Sequence, residues 1–402
     1  MELQLTELLN IPGLVVEYYR NLGQELILDV EAETDYSNCP KCGQVSNHLH
    51  QNHGHLVRDL PLSNRQVFLR VNRRQFKCKK CGKPFSEDLD FVGKGKKYTH
   101  RYATNIVEKL VHSDLTNVAK NNHLTEREVE AMINHVAQQI FPINLSGLKR
   151  LGIDEISLVK GQGKFLVVLV DLDTGKLVGL VKEKKQKAIE SVLLSWGIEV
   201  LEQIEEVSMD LAKIYKSIAE KLCPNAVITV DRFHVSKLLH EELNQGRIEQ
   251  KKTAESLKAE SREKVLGNLK GCKYILLKRS ENLNEKQKNQ LIKLKEASPK
   301  IAIMYNLKEE FTEIFDKSNN LGEGTINLLD WLEKAAPFFQ KTVKTIKNWV
   351  GEVVGYFERK TTQGVVEGIN NKLKLIKRSG FGFRNFDNFQ KRSLLVWHLT
   401  NK

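Results

Sequence analysis

The stretch GIDEISLVKGQGKFLVVLVDLDTGKLVGLV, residues 152–181, places two acids, Asp154 and Glu155, at the start of a strand-like run. Two apolar runs, FLVVLVDLD and KLVGLV, then meet at a turn around Thr174 and Gly175. An unpaired carboxylate is costly at the buried centre of a domain, so these acids need a partner. Downstream, a helix is expected from about Gln186 to Trp196, followed by strand-like segments in IEEVSMDLAKIYKSIAEKLCPNAVITVDRFHV. A hairpin that passes into alternating strands and helices has the element order of an RNase H-like α/β sheet. Such a sheet sets Asp154 on its first strand and Asp210 at the end of its fourth, side by side. Carboxylates so placed repel one another unless a hard cation, Mg²⁺ or Mn²⁺, joins them.

Holding two such ions takes a third acid. Glu367, in YFERKTTQGVVEGINNKLKLIKRSGFGFRNFDNF, is the candidate. It stands near the start of an expected helix, after Thr361, Thr362 and Gly364, and precedes a basic stripe of Lys372, Lys374, Lys377 and Arg378. Nine basic residues face two acidic ones between Arg359 and Arg392. A lone acid in that setting suits metal chemistry beside phosphate, although a glutamate favoured by a helix dipole is the plainer reading.

At 402 residues and 41% apolar content, the chain is expected to fold as two or three domains with a substantial core. Lys and Arg outnumber Asp and Glu by 63 to 50, giving a net charge of +13, which favours a polyanionic partner such as DNA. No apolar run approaches the ~20 residues that span a bilayer. The N-terminal MELQLTELLNIPGLVVEYY carries acids where a signal peptide carries bases, so a cytoplasmic, nucleoid-associated protein is expected. Of the six cysteines, four form CxxC pairs: Cys39 with Cys42, and Cys78 with Cys81. Two such knuckles can close a tetrahedral thiolate site, which suits structural Zn²⁺ because no coordination position stays open. The spacer between the pairs reads as strands that bring them together; His48, His50, His53 and His55 within it are alternative ligands. Cys223 and Cys272 read as buried residues without chemistry.

From Arg58 to Arg101, thirteen basic residues face four acidic ones, interleaved with Phe68, Phe76, Phe85 and Tyr98. This pattern suits phosphate contacts, with Arg73, Arg74, Lys79 and Lys80 as candidates. Next, DLTNVAKNNHLTEREVEAMINHV, residues 114–136, resembles a helix-turn-helix. Leu115, Val118 and Ala119 mark one helix face, Leu124 falls in the turn, and Val129, Met132 and Ile133 mark a second helix capped by Thr125 with Glu128 three residues on. Glu126, Arg127, Glu130 and Asn134 would point outward. Arg127 and Asn134 are the base-reading candidates on a recognition helix from about Glu126 to His135. Asn122 and His123 occupy turn positions where an apolar residue and a glycine are commonest.

The paired knuckles, GIDEIS, VSMDLAKIYKSIAEKLCPNAVITVDRFHV and, most specifically, VVEGINNKLKLIKRSGFGFRNFDNFQKR together resemble the ISL-three family of bacterial insertion-sequence transposases over nearly the whole chain. The resemblance implies a DDE triad at Asp154, Asp210 and Glu367, with Mg²⁺ or Mn²⁺ for catalysis. Asp231 and His234, in a D-x-x-H signature, would support the active site, and Asp231 is the competing choice for the second acid. It further implies a multidomain α/β protein: a zinc-binding domain over 1–99, a helix-turn-helix over 100–147, and an RNase H-like catalytic domain over 148–237 and 340–402. That last domain is interrupted by an α-helical insertion over 238–339. Trp331 and Tyr274 could handle bases from that insertion, but core packing is the preferred reading of both. The implied partners are terminal inverted repeats and target DNA, and the implied assembly is a homodimer or larger synaptic complex. The competing functions are a non-catalytic DNA-binding regulator derived from a transposase and a structure-selective nuclease.

Overall fold

In the computed structural model, the described residues are 2–157, 165–256, 259–361, 364–380 and 386–399. The expected strand end at residues 158–159, Thr362 and the GFGF end of the C-terminal motif fall at least partly outside them. The chain packs as two units, one of Met1–Ile143 with Leu375–Lys402 and one of Asn144–Lys374.

The first unit begins with α1 (Glu2–Leu9), then β1 (Leu14–Asn21), β2 (Glu25–Ala32), the short β3 (Ser37–Asn38) and β4 (Val45–Ser46), β5 (Leu49–Leu62), β6 (Arg65–Lys77) and β7 (Pro84–Ser86). The main sheet has the order β1-β2-β6-β5 with β7 on β6; only the β2–β6 pairing is parallel. Alternating residues of β2 and β6 put Leu26, Leu28, Val30, Val67, Leu69 and Val71 into one core. The β5–β6 hairpin turns at Ser63 and Asn64, both with positive φ, 47° and 62°. Three helices follow: α2 (His100–Val111), α3 (Leu115–Asn121) and α4 (Glu126–Ile140).

The second unit begins with β8 (Arg150–Ser157), β9 (Phe165–Asp171) and β10 (Lys176–Val181), then α5 (Gln186–Leu194), α6 (Ile198–Glu202), β11 (Glu206–Met209), α7 (Lys213–Leu222) and β12 (Val227–Val230). Its sheet order is β10-β9-β8-β11-β12. The first three strands form an antiparallel meander, while β8, β11 and β12 run parallel. The near-continuous apolar run of β9 matches its burial, with every residue after Phe165 enclosed. Gly152 is required here by close approach: a Cβ at this position would stand 2.8 Å from Leu172 and 3.3 Å from Val366.

After β12 the described elements are helical: α8 (Arg232–Glu255), α9 (Ala259–Leu269), α10 (Lys273–Leu277), a 3₁₀ turn at Ser280–Asn282, α11 (Glu285–Ala297), α12 (Pro299–Lys317), α13 (Leu321–Ala335), α14 (Gln340–Asn348), α15 (Val350–Arg359) and α16 (Gly364–Ser379). Trp331 packs at the centre of this helical region, its indole N–H donating to the Leu307 carbonyl at 2.8 Å. Tyr274 corrects the core reading: it is 71% exposed, because the short α10 buries Ile275 and Leu276 and leaves Tyr274 outside. Cys223 and Cys272 are buried.

The last helix, α17 (Phe386–Leu399), belongs to the first unit, whereas the sequence reading set the whole of 340–402 in the catalytic domain. Leu395 enters the core of α2 and α4, and the buried Arg392 guanidinium donates to the carbonyls of Leu110 (2.6 Å) and Ser113. No described helix is long and apolar enough to cross a membrane.

Candidate functional site

In the first unit the sulfurs of Cys39, Cys42, Cys78 and Cys81 lie within 4.8 Å of one another. The two knuckles repeat one geometry. Gly43 and Gly82, each directly after the second cysteine of its pair, have φ of 71° and 68°, and their N–H groups donate to the carbonyls of Cys39 (2.9 Å) and Cys78 (2.8 Å). The long spacer closes because β5 and β6 pair along its length. The Cys81 amide N–H near the Cys78 sulfur brings that thiol down to about 7. Cys81 is pushed up to about 12, first by the Cys42 thiol and then by burial. Sulfurs this close cannot all ionise without a cation, and an all-thiolate donor set fits zinc. His48, just before β5, and His50 and His53 on it are exposed, and His55 Nε2 lies 3.0 Å from the Lys96 carbonyl, so none joins the cluster.

The basic stretch is more internally committed than its composition suggests. Phe76, Phe85 and Tyr98 are buried, the two phenylalanines against the cysteines, so they form core and not a nucleic-acid platform. Arg74 donates from Nε and Nη2 to Glu87 and from Nη1 to the Thr34 carbonyl, and Arg73 is half-buried. Lys79 and Lys80 are exposed. In the helix-turn-helix, Thr125 and Glu128 form a capping box at the start of α4. Glu126, Arg127, Glu130 and Asn134 are exposed, and Asn134 Oδ1 accepts from Lys391 at 2.8 Å. His123 has φ 52°, the left-handed conformation usually taken there by glycine, and Arg58 donates to the carbonyls of Asn122 and His123.

In the second unit β8 and β11 run parallel with Ile153 opposite Met209, so the next residue of each, Asp154 and Asp210, comes to neighbouring strand positions. Ligand atoms of Asp154, Asp210 and His234 lie within 4.8 Å of one another, and His234 Nδ1 stands 2.7 Å from Asp210 Oδ1. Burial, then the Asp210 charge, raises Asp154 to about 6. Burial alone would lower His234, but the adjacent Asp210 carboxylate raises it. Asp231 follows β12; its carboxylate accepts from the Phe233 N–H at 3.0 Å and caps α8, delivering His234 from the first turn of that helix. Burial raises Asp231 as well, with Asp210 and Glu367 adding to it.

Glu367, on the first turn of α16, is exposed and is not within 4.8 Å of all three members of the Asp154–Asp210–His234 group. It lines, with Asp154, Asp231, His234 and Lys374, a cavity of about 580 Å³. Glu155 points elsewhere, its carboxylate 2.9 Å from Lys184. Lys372 is half-buried, which lowers its pKa, while Lys374 and Arg378 are exposed and Lys377 is half-buried. The residue the sequence reading missed is Asn370, three positions beyond Glu367, whose amide donates to Asp154 Oδ2 at 2.5 Å. Its only sequence signal was that spacing, which puts it on the Glu367 face of α16. Two close carboxylates, Asp210 buried and Asp154 half-buried with its pKa raised, fit a divalent cation.

A family model described as a transposase of the ISL3 type matches residues 151–393. The chain belongs to this transposase family. A zinc-finger model of transposases matches residues 35–81, and a helix-turn-helix model of transposase family ISL3 matches 87–137, so the zinc ribbon and helix-turn-helix of the transposase fall where the knuckles and α2–α4 stand. The chain is 24% identical over 381 residues to a transposase for insertion sequence element IS1001 of Bordetella parapertussis, covering 93% of this chain and 92% of that one. It is 26% identical over 371 residues to a transposase for insertion sequence element IS1557 of Mycobacterium tuberculosis, covering 86% and 82%.

Proposed function

We infer that this transposase cuts and joins the ends of a bacterial insertion sequence by a metal-dependent DDE mechanism on an RNase H-like sheet. The observation that carries the reading is the convergence of Asp154 and Asp210 at neighbouring strand positions, in a pocket also lined by Glu367. The β10-β9-β8-β11-β12 order, an antiparallel meander followed by parallel strands, supports the RNase H-like assignment. The helices between β12 and α14 support an insertion between the second and third acids.

Asp154, Asp210 and Glu367 would hold Mg²⁺ or Mn²⁺, which supplies Lewis-acid activation of a phosphodiester and of the attacking oxygen. His234 fixes the Asp210 carboxylate, and Asp231 fixes the start of the helix that carries His234. Lys374 supplies positive charge beside the acids, where a DNA phosphate would otherwise be repelled. Cys39, Cys42, Cys78 and Cys81 would hold Zn²⁺, which joins two knuckles far apart in sequence. Exposed Lys79, Lys80 and Arg127 are the phosphate and base contacts this reading favours for terminal repeats. Joining two ends calls for a dimer or larger assembly.

The test is strand cleavage in Mg²⁺ on DNA carrying the sequences that flank the gene. Wild type is compared with Asp154→Ala, Asp210→Ala, Asp231→Ala and Glu367→Ala at equal zinc content and DNA affinity. Loss of cutting in the first, second and fourth is the expected result. A dead Asp231→Ala with an active Asp210→Ala would move the second ligand to Asp231. A wild type that binds but never cuts would favour a non-catalytic regulator.

A further inference from the structure

Asp154 is held from two sides. Its Oδ1 accepts the Glu155 backbone N–H at 2.7 Å, and its Oδ2 accepts Asn370 Nδ2 at 2.5 Å, across a sequence separation of 216 residues. The first bond comes from the same strand and any residue at position 155 other than proline could supply it. The second needs a side-chain donor at one place on α16. Asn370 is 8% exposed, borders the same cavity as Asp154 and Glu367, and its Oδ1 is buried without a hydrogen-bond partner among the described residues. A buried amide with one end left unsatisfied is a stability cost that packing alone does not require, since an apolar side chain of similar volume would avoid it.

The segment before α16 is fixed independently. Thr361 donates to Glu206 Oε2 at 2.7 Å, and Thr229 donates to Glu206 Oε1 at 2.8 Å; Glu206 is fully enclosed within β11. The start of α16 is thus tied to the sheet once before the helix and once again at Asn370, with Glu367 lying between the two ties.

We propose that Asn370 is a positioning residue of the reaction centre, which orients the Asp154 carboxylate toward a divalent cation and ties the Glu367 face of α16 to β8. This rests on the metal-dependent reading above. Groups that hydrogen-bond a metal-ligating carboxylate set its orientation, and their removal typically costs 10–100-fold in metal affinity or activity.

The test uses full-length, zinc-loaded protein with Mn²⁺ alone as the probe, free Mn²⁺ being followed by electron paramagnetic resonance. Asn370→Leu keeps the branched side-chain skeleton and removes the donor; the expected result is roughly tenfold weaker Mn²⁺ binding with unchanged melting temperature and zinc content. The same change in an Asp154→Ala background is expected to weaken binding no further, because its effect passes through Asp154. If Asn370→Leu melts early, Asn370→Ser, too short to reach Asp154, is read in its place with the same expectation. Unchanged Mn²⁺ affinity in the folded variant, or an equal loss in the Asp154→Ala background, overturns the proposal. A wild type that binds no Mn²⁺ would instead sink the metal-dependent reading itself, and so separates the two failures.

Discussion

The cysteine cluster and the acid cluster bring like charges together in opposite ways. The four thiols come from two local turns of identical design, each a CxxCG with its glycine in the left-handed conformation. The acid centre comes from β8, the residue after β11, the first turn of α8 and the first turn of α16, elements that only the completed sheet brings together. The first cluster is full with four ligands of one kind; the second mixes carboxylate, imidazole and amide and opens onto a cavity. A cluster that closes on itself serves the fold, whereas one left open to a cavity can serve a reaction.

The largest test of that contrast is removal of a thiolate. Cys39→Ser or Cys78→Ser is expected to lose zinc and with it the folded state of the first unit, because zinc binding of on the order of 10 kcal/mol is coupled to folding in such sites. Metal analysis and circular dichroism check this; a folded, metal-free Cys78→Ser would break the comparison. Asp210→Asn, by contrast, is expected to keep zinc, fold and DNA affinity while cleavage falls by about a thousandfold or more, a barrier increase of roughly 4 kcal/mol. Single-turnover cleavage measures it.

Thr361→Val strips one donor from the enclosed Glu206 carboxylate and is expected to cost about 1–3 kcal/mol in denaturant unfolding, with Thr361→Ser restoring most of it. An acid titration sharpens the contrast further. His135 stacks on His100, meets Tyr98 edge-on, and has Lys96 and Gln139 beside it; burial first, then the charges of His100 and Lys96, holds its pKa below 6.5. Its folded-state value is depressed, so below pH 6.5 the unfolded chain gains the proton first and stability falls with pH. The first unit should therefore melt earlier at pH 5.5 than at pH 7.5, and His135→Gln should flatten that dependence. The smallest effect is expected from Lys79→Ala or Lys80→Ala: weaker DNA binding across sequences and a salt-dependence slope reduced by about 0.9 for each lost phosphate contact.

Local features of the chain were readable in the sequence because their causes are local. The knuckles, the Thr125 capping box and the apolar meander of β9 and β10 each follow from residues a few positions apart. Element order was also enough to anticipate that Asp154 and Asp210 would approach, since a parallel β8–β11 pair aligns Ile153 with Met209. Long-range pairings left no comparable trace. Nothing in NRRQF says that Arg74 will be taken up by Glu87, or that the aromatics between the basic residues will turn inward against the cysteines. Asn370 was overlooked for the same reason, its partner lying on the far side of the helical region in sequence. The packing of α17 left no trace either, because its apolar face fits any helical core, and the core it joins is that of α2 and α4.

Along α8 the acid centre runs into the helical region without a break. α8 carries His234 in its first turn and continues unbroken for 24 residues, about 36 Å of helix. At Gly246 it is so close to α12 that a Cβ would stand 2.7 Å from the Met304 sulfur. His234 and the Gly246–Met304 contact therefore ride on one continuous helix, and the imidazole beside Asp210 takes its direction from how that helix packs on α12.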